Sequence, residues 1–141
     1  CINGDLFTAE DVKDVFDALG SIPHAVMLGR GAVSNPQLFA QVRALIAGEV
    51  IPPTDKERIY RFYLALCEDA RTRLSGERHT LFRMKELFAY WIVLFADAES
   101  HRRRLRKAGT LAEFQAAAES LFAECALYPD AGFIGNAKMN G

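Results

Sequence analysis

The chain has 141 residues, half of them hydrophobic and a quarter charged, which calls for a packed core and excludes a disordered polyelectrolyte. Net charge is −1, yet residues 1–53 hold 3 basic and 6 acidic side chains, whereas residues 71–107 hold 10 basic and 4 acidic. A local positive excess inside a near-neutral protein marks a docking surface and excludes a generally cationic one.

Cys1, Cys67 and Cys125 are far apart, lack C-x-x-C spacing and are odd in number, and the 3 histidines are equally scattered. No metal site is predicted, and a reduced, cytoplasmic setting is expected. No apolar run reaches membrane-spanning length and no signal peptide is visible. The chain opens on Cys, not Met, which points to a piece of a longer protein.

In chain order, the first residues read as a strand end followed by turn chemistry at Asn3-Gly4-Asp5. Thr8 with Asp11 predicts a helix start. Val12, Val15, Phe16 and Leu19 recur at helical spacing up to a stop at Gly20. Residues 25–28 are a short apolar run bounded by Gly29-Arg30-Gly31, the pattern of a buried strand entering a glycine loop. Asn35-Pro36 then signals a helix to about Ala47. A glycine loop between strand and helix can bring backbone N–H groups up to an anion.

Gly48 to Pro53 is a break, and beyond it the pattern is helical only. Thr54-Asp55-Lys56-Glu57 opens one helix, with Ile59, Phe62, Tyr63, Leu66, Ala70 and Leu74 on one face. A second is predicted over about Thr80–Phe95 and a third over about Asp97–Lys107. A fourth runs from the Thr110 cap to about Leu127, with Pro129 as its stop. Phe82, Phe88, Trp91 and Phe95 are assigned to the core by their spacing, against the alternative of a base-stacking platform. Four such helices can bury a core of their own. Residues 1–47 cannot, because a parallel strand needs neighbours. They are expected to close a larger α/β domain and to expose Val12, Val15, Phe16, Val26 and Leu28. The expected fold is mostly α: the last βα units of a truncated (β/α)8 barrel (1–50), a four-helix bundle (54–128) and an irregular tail (129–141).

The segments INGD and VMLGRGAVSNPQLF, with RMKELFAYW and RRLRKAGTLAEF further on, resemble the flavin-dependent tRNA-dihydrouridine synthases over about residues 2–125. The resemblance implies a barrel that holds FMN, re-reduced by NADPH, and a C-terminal helical domain that docks tRNA. It places Asn3, Gly4 and Asp5 after the seventh barrel strand and Gly29, Arg30 and Gly31 after the eighth, facing the FMN phosphate. Loops at that end of such barrels commonly form phosphate sites. Asp5 is expected to cap a turn or orient a neighbour instead of touching phosphate. The alternative for Gly29-Arg30-Gly31 is a tight turn with a surface arginine. The family's catalytic cysteine lies upstream, and none of the three cysteines here sits in a matching motif, so no catalytic residue is assigned.

For RNA, the candidates are Arg83 and Lys85 on the second predicted helix and Arg102, Arg103, Arg104 and Arg106 on the third. The alternatives are an Arg83–Glu86 surface pair and a solvated basic face at a helix C-terminus. Two rival functions stay open: a non-enzymatic helical RNA-binding or protein-interaction module, and another FMN-barrel oxidoreductase. Self-association through the exposed barrel remnant is a further expectation.

Overall fold

The computed structural model describes residues 2–20 and 25–128. Cys1, Pro129 and the tail to Gly141 lie outside the described residues. What is described is mostly helical and divides into two compact units, one up to Thr54 and one from Asp55 onward.

The first unit contains two short parallel strands, β1 (Ile2–Asn3) and β2 (Val26–Met27), with Ile2 opposite Val26 and Asn3 opposite Met27. Between them in sequence lies α1 (Ala9–Leu19). Its start is a full capping box: Thr8 Oγ1 accepts from the Asp11 N–H at 3.1 Å, and Asp11 Oδ2 accepts from the N–H groups of Thr8 and Phe7, both at 2.8 Å. After β2 come α2 (Gly29–Ser34) and α3 (Leu38–Ala47). Gly48 ends α3 at φ 68°, a left-handed geometry that glycine adopts without a Cβ penalty.

Two sequence expectations are corrected here. Gly29-Arg30-Gly31 is the first turn of α2 and not a loop, because the Ala32 N–H donates to the Leu28 carbonyl at 2.7 Å and closes a helical turn. Gly31 owes its identity to packing. A Cβ there would run into the Leu6 carbonyl and come within 2.9 Å of Leu38 Cδ2, so α2 lies on backbone. Asn35 does not begin the long helix; it ends α2 and caps the turn leading to α3. Its Oδ1 accepts from the Gln37 N–H at 3.0 Å, and its carbonyl accepts from the Leu38 N–H at 3.0 Å. The Asn35 side chain is 1% exposed, and its Nδ2 donates to Gln41 Oε1 at 2.7 Å. Gln41 Nε2 donates in turn to the Pro52 carbonyl at 2.9 Å. Thus a buried polar relay fixes the 48–54 connector within this unit.

The unit also forms a small core, which the sequence did not promise. Leu6, Ala9, Val12, Leu28, Leu38 and Val42 are buried together, with Val15, Phe16 and Val26 packed at their margin. Val12 and Leu28 are therefore covered within the chain, contrary to expectation. Leu19, Met27, Phe39, Ile46 and Val50 remain exposed.

The second unit comprises α4 (Lys56–Arg73), α5 (Glu77–Trp91), a 3-10 turn (Ile92–Leu94), α6 (Glu99–Lys107) and α7 (Leu111–Glu124). The cap of α4 is Asp55, one residue later than predicted, with its Oδ1 accepting from the Glu57 N–H at 3.0 Å. At α7, Thr110 Oγ1 accepts from the Glu113 N–H at 3.2 Å, while Glu113 reaches back one residue beyond the usual box, to the Gly109 N–H at 2.7 Å. Helix α5 starts earlier than predicted and yields to the 3-10 turn before Phe95.

An aromatic cluster centres on Phe88, whose ring meets Trp91 and Phe114 at 5.5 Å, Tyr63 at 5.6 Å and Phe122 at 6.2 Å. Phe88, Trp91 and Phe95 are core, as the spacing required; Phe82 is not, being 51% exposed. Lys56 Nζ ties the two ends of the unit by donating to the Cys125 carbonyl at 3.1 Å, and an antiparallel bridge between Phe95 and Leu127 ties the C-terminal end to the segment after the 3-10 turn.

Gly31→Ala should lower the protection of α1–α3 amides in native-state hydrogen exchange by about 1–3 kcal/mol, as forced overpacking does. Gly29→Ala meets open space and should change protection little. Equal effects at the two positions would contradict the packing role of Gly31.

Candidate functional site

Because β1 and β2 are parallel and aligned, their exits, Gly4-Asp5 and Leu28-Gly29-Arg30, lie at the same end. Asn3 is the last residue of β1. Arg30 Nη2 donates to Asp5 Oδ1 across the exits. Both side chains are mostly exposed, so the pair orients two charged groups and contributes at most about 1 kcal/mol. A Cβ at Gly4 or Gly29 would meet nothing within 4 Å, leaving the backbone open at both exits. Gly31 is instead filled against Leu6. Of the six predicted phosphate-site residues, the structure thus gathers Gly4, Asp5, Gly29 and Arg30 at one end of the strands and gives Gly31 to the core.

The basic candidates in the second unit have distinct surroundings. Arg83 Nη1 donates to Glu86 Oε2 at 3.2 Å on the exposed face of α5. Lys85 Nζ donates to the carbonyls of Arg106 at 3.0 Å and Ala108 at 2.6 Å. It therefore caps the C-terminus of α6, where the helix dipole favours a cation. Arg103 pairs with Glu99 at 3.3 Å, and Arg104 Nη1 donates to Ser120 Oγ at 3.1 Å. Among the described residues, Arg102 and Arg106 form no ion pair. Helical geometry puts Arg83 and Lys85 on opposite sides of α5.

Sequence reasoning missed His101. It is buried between α6 and α7, with Nε2 3.2 Å from Glu124 Oε2 and 3.3 Å from Ser120 Oγ. Its Nδ1 lies 3.3 Å from Ser100 Oγ and 3.6 Å from Cys125 Sγ. The available signal was periodic: Ala98, His101, Leu105 and Ala108, spaced three, four and three apart, form the buried stripe of α6. Ser120 Oγ donates to Glu124 at 2.6 Å and, with His101 and Arg104 nearby, holds that carboxyl below its ordinary range. Burial pushes the Cys67 and Cys125 thiols up, which disfavours their nucleophilic thiolate forms. Burial likewise pushes the Tyr63 phenol up. Among the described residues, no three His, Cys, Asp or Glu side chains are arranged so that they could hold a metal ion, and no helix is long and apolar enough to cross a membrane.

The sequence model of the family described as Dihydrouridine synthase (Dus) matches residues 1–127, a span that includes both units. The chain belongs to the dihydrouridine synthase family. It is similar to a tRNA-dihydrouridine(16) synthase of Neisseria meningitidis serogroup B (strain ATCC BAA-335 / MC58), 29% identical over 104 residues. It is also similar to a tRNA-dihydrouridine(16) synthase of Neisseria meningitidis serogroup A / serotype 4A (strain DSM 15465 / Z2491), 27% identical over 104 residues. Each alignment covers 74% of this chain and 31% of the relative, so the chain spans about a third of the length of the curated relatives it matches. Within the family match lie both the strand exits and the basic faces of α5 and α6.

A carboxyl whose folded pKa is lowered stabilises the fold above its ordinary range and loses that contribution as pH falls through the lowered value. Glu124→Gln should therefore flatten the acid limb of thermal midpoint against pH while leaving the neutral region nearly flat. An unchanged acid limb would remove Glu124 from the linkage. Peptide-resolved alkylation at mildly alkaline pH should label Cys67 and Cys125 roughly tenfold or more slowly in the native protein than in denaturant. Equal rates would contradict their burial.

Proposed function

We propose that this chain is the C-terminal part of a tRNA-dihydrouridine synthase, combining the last strands of an FMN-binding (β/α) barrel with a helical tRNA-docking domain. The observation that carries the reading is the pair of aligned parallel strand exits, open at Gly4 and Gly29 and bridged by Asp5–Arg30, within a chain of this family. Open backbone and a cation suit a phosphate end. Gly4, Gly29 and Arg30 would hold the FMN phosphate, and Asp5 would orient Arg30, at the strand exits that follow Asn3 and Met27. Gly31 would act through packing. Bound FMN supplies the hydride chemistry of uridine reduction, with NADPH as the source of electrons. The similar proteins are named for position 16, and uridine 16 of tRNA is the target we assign.

In the second unit, Arg102, Arg103, Arg104 and Arg106 would meet tRNA phosphates, with Arg83 as a local contact. Lys85 would serve them by holding the end of α6. Binding to folded RNA through backbone and shape needs no base-reading motif. The rival reading, a helical binding module without enzymatic function, has support in the self-contained core of the second unit. Flavin absorbance in a purified longer protein that includes this chain separates the two.

The 141-residue chain should bind tRNA weakly and with steep salt dependence, and should form no dihydrouridine. Changing Arg102, Arg103, Arg104 and Arg106 together to Gln should weaken binding to every tRNA similarly. The slope of log affinity against log salt should flatten by about one unit for each arginine–phosphate pair removed. Filter binding across a salt series measures this, with the thermal midpoint as the folding control. An unchanged slope in a folded variant would return these arginines to a solvated face.

A further inference from the structure

Phe82 is set apart from every other aromatic side chain of α5. Phe88 and Trp91 are buried and Tyr90 is partly buried against the same core, while Phe82 is about half exposed. The Arg78 guanidinium lies over its ring, 5.6 Å from the centroid. Positions 78, 82, 85 and 89 are four, three and four apart, one stripe of the helix. Lys85, the next member, is held by the Arg106 and Ala108 carbonyls, so it is kept from folding back over Phe82 and brings the end of α6 beside the stripe. That end carries the exposed Arg106 and Lys107. Ala89 is small and exposed and leaves the far side of the stripe open. Glu86, four residues beyond Phe82 and so its neighbour on the same side of α5, is engaged by Arg83.

We infer that Phe82, with Arg78 above its ring and the α6 terminus alongside, is a stacking platform for an unpaired nucleotide of an RNA partner. The partner rests on the tRNA-docking reading above; the platform rests on the geometry of the second unit. A half-exposed ring with Arg78 over it and the basic end of α6 alongside offers π-surface to a base and charges to the neighbouring phosphates, with the Glu86 carboxylate taken up by Arg83. A protein partner would call for an apolar patch. Here the other exposed large apolar side chains described in this unit are Leu64 on α4 and Tyr128 beyond α7, and neither belongs to the stripe. Stacking on an aromatic ring is tolerant of base identity, so the platform would hold an unpaired nucleotide in place without reading it.

The test uses the whole 141-residue chain, a single-stranded oligoribonucleotide, a blunt RNA duplex and a tRNA, with fluorescence anisotropy over a salt series. Phe82→Ala should weaken binding of the single strand and of tRNA by about five- to a hundred-fold, with the salt slope unchanged because no charge is removed. Phe82→Trp should restore it, and duplex affinity should stay as in the parent chain. Arg78→Gln should flatten the slope by about one unit. Phe82 is exposed, so the thermal midpoint should hold in the Ala variant. Parent-like binding by a folded Phe82→Ala variant overturns the platform and leaves the docking reading standing. Equal losses for single strand and duplex also overturn it. So does a variant that keeps RNA affinity but loses self-association, which would make the ring a protein contact. A parent chain that binds none of the RNAs overturns the docking reading, and the platform with it.

Discussion

The second unit depends on the burial of Phe88. Its ring is the common neighbour of Tyr63 from α4, Trp91 one turn further along α5, and Phe114 and Phe122 from α7. All four contacts are edge-on, an arrangement favoured by the ring quadrupole, and each contributes about 0.5–1.5 kcal/mol beyond its area. Three of the four helices are thereby registered by one side chain. The fourth, α6, is too short and too charged to be held by apolar area alone. It is seated by Leu105 in the core and by polar clamps at its two ends: His101 with Glu124 and Ser120 near its start, and Lys85 at its last carbonyls.

In the first unit the equivalent constraint is a near-contact of backbones. With no side chain at Gly31, α2 settles against the Leu6 carbonyl, which brings Leu38 down onto Val12 and Leu28. The strand exits inherit their geometry from that packing. Gly29 and Gly4 face open space while Gly31, two residues beyond Gly29, has none, so one Gly-x-Gly motif divides its glycines between open backbone and packing.

Much of this was legible in the sequence where a short-range rule decides. Thr8 with Asp11 marked the start of α1, Gly20 its end, and the spacing of Phe88, Trp91 and Phe95 the core of the second unit. Errors came where a long-range contact overrides the local rule. Glycines 29 and 31 argue for a loop until the Leu6 carbonyl is seen, and Asn35-Pro36 argues for a helix start until Gln41 and Gln37 claim the asparagine side chain. Phe82 sits in an apolar context, but its position on the helix turns it outward, which the run of neighbouring aromatics obscured. The basic candidates were legible as a charge excess and not as individuals, because a lysine that caps a helix and an arginine that meets solvent look alike in one dimension.

Lys85 gives that last distinction an evolutionary meaning. Its ammonium donates to two carbonyls at the end of another helix, 21 and 23 residues away in sequence. A planar guanidinium is a poor substitute for a compact ammonium in such a seat. Retention of lysine at this position in a descendant sequence would therefore record the survival of the α5–α6 joint. It would carry no information about what that descendant binds, even though the residue lies within the most positively charged stretch of the chain.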